Sequence, residues 1–251
     1  MQAAGARVAE RFGLRPPMGT LADVVAAIDA NDEASLAVLR PLLAAARPQA
    51  RWAEDEEAGG DLPPGEWWVV DPVEGNINHL HGTTDWAVTV TLVRDGAAVL
   101  TAAHAPLPAP VTWTAVAGGG AFRNGSPVSV STKSDLATAL VGTGQAKPGE
   151  DAQTFRRIGA SMTAMLPAAL LVGAAVPATL PLLRVAAGQQ DAFWQYSDVR
   201  SGLLGGALLV TEAGGTVTDT AGHPWTPTSP DFLASAPLVH PAVVAVLTPA
   251  A

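Results

Sequence analysis

From Asp29 to Arg47 the apolar residues Leu36, Val38, Leu39, Leu42 and Leu43 recur at helical spacing, with acids leading and Arg closing, as the helix dipole favours. The spacing predicts a surface helix. Trp67 to Val70 is a short apolar run between Pro63-Pro64-Gly65 and Asp71-Pro72, which predicts a buried strand ending on an acid. Val88, Val90 and Leu92 alternate with Thr89 and Thr91 up to the turn Asp95-Gly96, and Val99 to His104 resumes the pattern, predicting an antiparallel hairpin. Val111 to Val116, the turns at Gly118-Gly119-Gly120 and Asn124-Gly125, and Val128 to Val130 continue the sheet. The first half therefore reads as one or two helices on a mostly antiparallel sheet.

After Lys133 the texture changes. Val141-Gly142, a helical Ala152 to Met162, an Ala/Leu/Pro stretch from Met165 to Gly188 and a strand-like Ala192-Phe193-Trp194 come first. A small-residue helix from about Ser201 to Thr211, a strand at Phe232 to Ser235 and a helix at Pro241 to Leu247 complete an alternating α/β half. No Gly/Ser linker or repeat separates the halves, so two subdomains, 1–133 and 134–251, are expected in one body.

Composition removes several classes of function. The 251 residues contain no cysteine, so any metal sits on oxygen or imidazole. Only 14 Lys and Arg oppose 23 Asp and Glu, with no basic run, which argues against nucleic acid as a partner. No apolar run approaches the ~20 residues of a membrane span, and the start lacks a signal-peptide core, so the expected location is the cytoplasm.

Eight of the 23 acids fall between positions 54 and 74. A charge run such as Glu54 to Asp61 is by itself a solvated loop. Asp71 and Glu74 differ: they flank Pro72-Val73 directly after a buried strand, where a tight turn can aim both carboxylates and the Val73 carbonyl at one point. That is an oxygen set for a hard divalent cation.

At these residues the chain resembles the inositol monophosphatase family of Mg²⁺-dependent sugar-phosphate phosphatases. The family's Asp-Pro-Ile/Leu-Asp-Gly-Thr-x-Asn-Phe signature corresponds to Asp71 through His79, and His81-Gly82 continues it. Asp23 to Asp29 is similar to Asp-Leu-Val-Thr-x-x-Asp, Trp52 to Asp55 to Ile-Gly-Glu-Glu, and Gly118 to Gly125 to the Gly-x-Gly-Ala-Phe-x-Asn-Gly hairpin. Val185 to Gly188, Asp191 to Trp194 and Thr211 to Gly215 follow in family order. The resemblance implies a layered α/β/α/β/α sandwich, one or two Mg²⁺ ions with Mn²⁺ as a substitute, a small phosphorylated substrate and a homodimer. It assigns the metal ions to Glu54, Asp71, the Val73 carbonyl and Glu74, with Asp29 in support; Gly75, Asn76 and Arg200 are the residues expected to contact the substrate.

Several positions depart from the pattern. Glu74 is one methylene longer than the family's Asp. Asn76 replaces a Thr that orients and deprotonates the attacking water, and an amide positions water without relaying a proton. Counting back from Thr211, the family's late Trp-Asp pair falls on Ser201-Gly202, so that ligand is missing; Asp198 either substitutes for it or caps the helix. Arg200 then stands where one cation would, and Val176-Pro177 replace a Gly-Ser pair near the substrate. His79 replaces an aromatic residue, as a general base or as a core histidine. The expected activity is a Mg²⁺-dependent phosphomonoesterase in which Glu54, Glu74, Asn76 and His79 take catalytic roles. The alternatives are an enzyme on the same fold diverged toward cyclisation, elimination or another acid/base step, and a non-catalytic remnant.

Overall fold

The computed structural model describes residues 1–14, 16, 18–53, 60–146, 149–197 and 199–248. Five layers follow one another. The outer pair α1 (Gln2–Ala9) and α2 (Leu21–Ala46) covers a seven-stranded sheet in chain order: β1 (Arg51–Trp52), β2 (Glu66–Glu74), β3 (Ala87–Arg94), β4 (Ala97–Ala105), β5 (Val111–Val116), β6 (Gly120–Arg123) and β7 (Ser126–Pro127). The short helix α3 (Asn76–Leu80) leaves the end of β2. On the other face of this sheet lie α5 (Thr179–Ala186) and α6 (Arg200–Glu212). They also pack on a five-stranded sheet ordered β11 (Thr216–Thr218), β12 (Phe232–Ser235), β10 (Ala192–Gln195), β8 (Leu140–Gly144) and β9 (Leu171–Ala175). The last layer is α4 (Ala152–Met165) and α7 (His240–Leu247). Among the described residues, no helix is long and apolar enough to cross a membrane.

Strand alternation builds the layers. On β10, Phe193 enters the central cluster with Leu182, Leu203 and Trp113, whereas Ala192 and Trp194 enter the outer cluster with Met165 and Val243. The small residues of α6 let it approach closely: a Cβ on Gly205 would stand 2.5 Å from Thr101 Oγ1 and 2.6 Å from Thr91 Oγ1, and one on Gly206 would stand 2.3 Å from Leu182 Cδ1. Close approach of α6 to β3 and β4 is what brings position 202 to the end of β2.

Four local expectations are corrected. The first helix begins at Leu21 rather than near Asp29, because Thr20 and Asp23 close a capping box in which Thr20 Oγ1 accepts from Asp23 N and Asp23 Oδ2 accepts from Thr20 N. β2 does not stop at Asp71 but runs on to Glu74. The last strand ends at Pro127; Val128 N still donates to the Ala121 carbonyl of β6, but Val130 N turns to the Ala213 carbonyl at the end of α6. The Ala/Leu/Pro stretch from Met165 to Gly188 contains β9 and α5, which its composition concealed.

Candidate active site

The metal signature sits on a β-bulge. β2 pairs with β3 so that Asp71 faces Thr89 and Glu74 faces Ala87, three steps on one strand against two on the other. In an unbroken strand residues i and i+3 point to opposite faces; one inserted residue returns Glu74 to the side of Asp71. Pro72 offers no N–H to the ladder, and Val73 N donates to Asp71 Oδ1 at 3.0 Å. The Val73 side chain is locked in the core against Trp86 and Val8.

The two carboxyl groups are close enough to share a proton. Asp71 is half-buried and Glu74 is only 5% exposed. Thr179 Oγ1, at the start of α5, lies 3.0 Å from Glu74 Oε2 and 3.0 Å from the Gly202 carbonyl. Burial pushes the Glu74 carboxyl above its usual range, against the hydrogen bonds from Asp71 and Thr179. Position 202 looks directly onto this pair: a Cβ there would lie 3.7 Å from Glu74 Oε2 and 3.7 Å from Thr179 Oγ1.

This donor set fits a hard divalent cation. Two carboxyls share one side of the strand, a bulge carbonyl lies between them in sequence, and among the described residues no Lys, Arg or His forms an ion pair with Glu74. A buried acid pair needs a proton or a cation, and oxygen ligands select Mg²⁺ or Mn²⁺. Among the described residues no cluster of three His, Asp or Glu side chains assembles. Glu54 and Asp198, assigned to the metal ions from the sequence, lie outside the described residues.

Gly75 makes the turn that follows. It adopts φ +82°, and a Cβ there would stand 2.7 Å from the Asp85 carbonyl and 2.9 Å from Pro177 Cδ. Gly75→Ala combines left-handed strain with a backbone clash, and is expected to destabilise the protein by about 3 kcal/mol or more, read as a lowered urea midpoint at unchanged slope.

Asn76 opens α3 and turns its amide toward α2. Its Nδ2 donates to Asp32 Oδ1 at 2.8 Å and to the Ile28 carbonyl at 3.2 Å, and its Oδ1 accepts from Asn31 Nδ2 at 2.8 Å. Asp29, expected in support of the metal ions, is exposed on α2, and the carboxylate brought to Asn76 is Asp32. Burial, with the nearby Asp29 charge, pushes Asp32 from an ordinary 3.8 up to about 6, against the hydrogen bond from Asn76. A carboxyl raised in this way adds stability that is complete below pH ~3.8 and is lost as pH rises through ~6. Asp32→Asn should therefore stabilise the metal-free protein by about 2 kcal/mol at pH 8 and by nothing at pH 3.5, measured by urea unfolding at the two pH values.

His79 belongs to the core. It is 3% exposed, its ring meets Phe12 and Trp86 edge-on at 5.5 and 5.0 Å, Nδ1 lies 3.1 Å from Asn31 Nδ2 and Nε2 lies 3.1 Å from the Val8 carbonyl. Both nitrogens are engaged, and burial, with the nearby Arg11 charge, pushes its pKa below the ordinary histidine value. The general-base role expected from sequence is corrected accordingly. Arg200, 8% exposed, donates from Nε to the Gly60 carbonyl at 3.2 Å and so ties the start of α6 to Gly60.

Beside Gly75, a cavity of about 450 Å³ is lined by Asn78, Asp85, Val176, Pro177 and Arg184 among others. Asn78 Nδ2 donates to the Asp85 and Val176 carbonyls at 2.8 and 2.7 Å, and Arg184 pairs with Asp85 at 2.9 Å. The residues that sequence reasoning missed are Asn31, Asp32 and Thr179. Asn31 falls on the four-residue spacing of Ala27, Asn31, Ser35 and Leu39, the buried stripe of α2, where its amide gives no apolar signal.

The model of the inositol monophosphatase family matches residues 3–249. A probable inositol 1-monophosphatase of Mycobacterium tuberculosis is 32% identical over 249 residues, covering 92% of this chain and 87% of the relative. An inositol-1-monophosphatase of Rhizobium meliloti is 32% identical over 225 residues, covering 87% and 82%. The solved inositol monophosphatase of Anabaena superposes with a TM-score of 0.79 at 25% identity over 98% of this chain and 90% of that one.

Proposed function

The chain belongs to the inositol monophosphatase family and is a phosphatase; from that premise we propose that it hydrolyses a small polar phosphomonoester with one or two Mg²⁺ ions. Its family is generally metal-dependent, and the Mycobacterium and Rhizobium relatives, named as inositol monophosphatases, lend no support to a diverged non-hydrolytic activity. The observation that carries the reading is the bulge that turns Asp71 and Glu74 to one side beneath Gly202 and Thr179.

Asp71, Glu74 and the Val73 carbonyl hold the cation, with Glu54 completing the set. When bound, a divalent cation supplies positive charge to the phosphate oxygens and acidifies an attacking water. Thr179 fixes the orientation of Glu74. Asp32, held by Asn76, is the group whose affinity for protons suits a base working near neutrality, so the proton-accepting task that an amide cannot perform passes to the neighbouring helix. The cavity at Val176, Pro177, Asp85 and Arg184 receives the polar organic part of the substrate. Gly202 contributes no ligand, so turnover of simple monoesters is slow, below ~10 s⁻¹.

Phosphate release from inositol 1-phosphate and a panel of sugar and nucleoside monophosphates, with Mg²⁺ and with EDTA, tests the reading. Release that requires Mg²⁺ is expected. Binding of Mg²⁺ without release from any monoester would overturn it.

A further inference from the structure

Two departures from the family signature, Asn76 for Thr and His79 for an aromatic residue, meet at one buried side chain. Asn31 is 2% exposed on the inner stripe of α2, and its Nδ2 faces both Asn76 Oδ1 at 2.8 Å and His79 Nδ1 at 3.1 Å. Its Oδ1 accepts from Arg11 Nε at 2.7 Å, on the segment that follows α1.

The proton count closes in only one way. Arg11 can only donate, so Asn31 presents its carbonyl oxygen to Arg11 and its NH₂ to the other side. One amide hydrogen goes to Asn76 Oδ1 and the other to His79 Nδ1. His79 Nδ1 must then be unprotonated, and its Nε2–H donates to the Val8 carbonyl. With its Oδ1 turned to Asn31, Asn76 has both hydrogens aimed at the Ile28 carbonyl and Asp32 Oδ1. An amide is nearly symmetric in shape, so packing alone leaves its flip undecided; the acceptors Ile28 O and Asp32 Oδ1 on one side and the chain from Arg11 through Asn31 on the other decide it together. The reverse flip would set Asn76 Oδ1 against the Asp32 carboxylate.

We propose that Asn31 and Arg11 are positioning residues of the phosphatase reaction: they fix the amide of Asn76 so that its donors face Asp32. Neither touches the reacting groups; they act through Asn76. His79 serves the same unit as the acceptor that occupies the second hydrogen of Asn31, which explains why a histidine stands where the family keeps an aromatic ring. The proposal rests on the phosphatase reading for its kinetic consequence, while its proton arrangement stands independently.

Asn31→Asp tests it, because a carboxylate keeps the shape and the bond to Arg11 but donates to neither Asn76 nor His79. In ¹⁵N-histidine-labelled wild-type protein, His79 is expected as the neutral tautomer with the proton on Nε2; in Asn31→Asp a proton moves onto Nδ1, toward the new carboxylate. The kcat for phosphate release should fall 10- to 100-fold with KM within twofold, since orientation is lost and substrate contacts are not. Arg11→Met, at a half-buried position, should lower kcat 3- to 10-fold with KM again held, and it carries the kinetic test should Asn31→Asp not fold. A wild-type His79 protonated on Nδ1, or a folded variant with wild-type kcat, would overturn the proposal. Wild-type protein that releases no phosphate with Mg²⁺ would overturn the phosphatase reading and the positioning role together, whereas the His79 tautomer would still decide the proton arrangement.

Discussion

Asp71→Asn is expected to lower metal-dependent phosphate release by about 10³-fold while leaving the metal-free protein folded. The amide keeps the shape of the carboxylate and its Oδ1 can still accept from Val73 N, so the bulge persists. What disappears is a negative charge and one acceptor oxygen at the point where the cation is held. The neighbour of position 71 is the buried Glu74 carboxyl, and a carboxyl beside an amide donor is less strained than one beside another acid. The metal-free variant should therefore melt no lower than the parent. Phosphate release across a Mg²⁺ titration, with thermal melts in EDTA, checks both halves. Parental activity at limiting Mg²⁺ would remove Asp71 from the site.

The second large effect is a gain. The double change Glu74→Asp and Gly202→Asp is expected to raise kcat on simple monoesters about 10- to 100-fold, in the range that one well-placed electrostatic contact commonly supplies. A Cβ at 202 would already stand 3.7 Å from Glu74 Oε2, so a carboxylate added there crowds the longer acid; shortening residue 74 by one methylene makes the room. Either change alone is expected to lower activity, the first by withdrawing a donor and the second by adding a charge to a buried acid pair. Asn76→Thr, which the family signature alone would add to this repair, should instead reduce the rate, because threonine lacks the amide hydrogens that reach Ile28 and Asp32 and leaves Asn31 unpaired. The rate in saturating Mg²⁺ reads all four variants. A folded double variant no faster than the parent would contradict the assignment of position 202.

The strands around the site were legible because their chemistry is periodic. Val88, Val90 and Leu92 are buried among small threonines, and alternation alone predicts the β3 and β4 pair. The acids of the signature were legible as a motif, but the reason they converge was not: a bulge is one residue of register, visible only against the partner strand. Asp32 was missed because it lies on a helix whose start is set by the Thr20 and Asp23 box, a Thr-x-x-Asp signal that apolar spacing does not register. Asn31 was invisible for a different reason. Patterning sorts asparagine with the surface, whereas here it is buried because all of its donors and acceptors are met by Arg11, Asn76 and His79. Thr179 lay in a stretch whose Ala, Leu and Pro carry no clear period.

The central claim is that the bulged acid pair holds the cation of a phosphatase. Crystals soaked in Mn²⁺ and measured at the manganese absorption edge test it most directly. An anomalous peak bounded by Asp71, Glu74 and the Val73 carbonyl is expected; an ordered bulge with no peak there, or a peak only at another group of residues, would contradict this assignment.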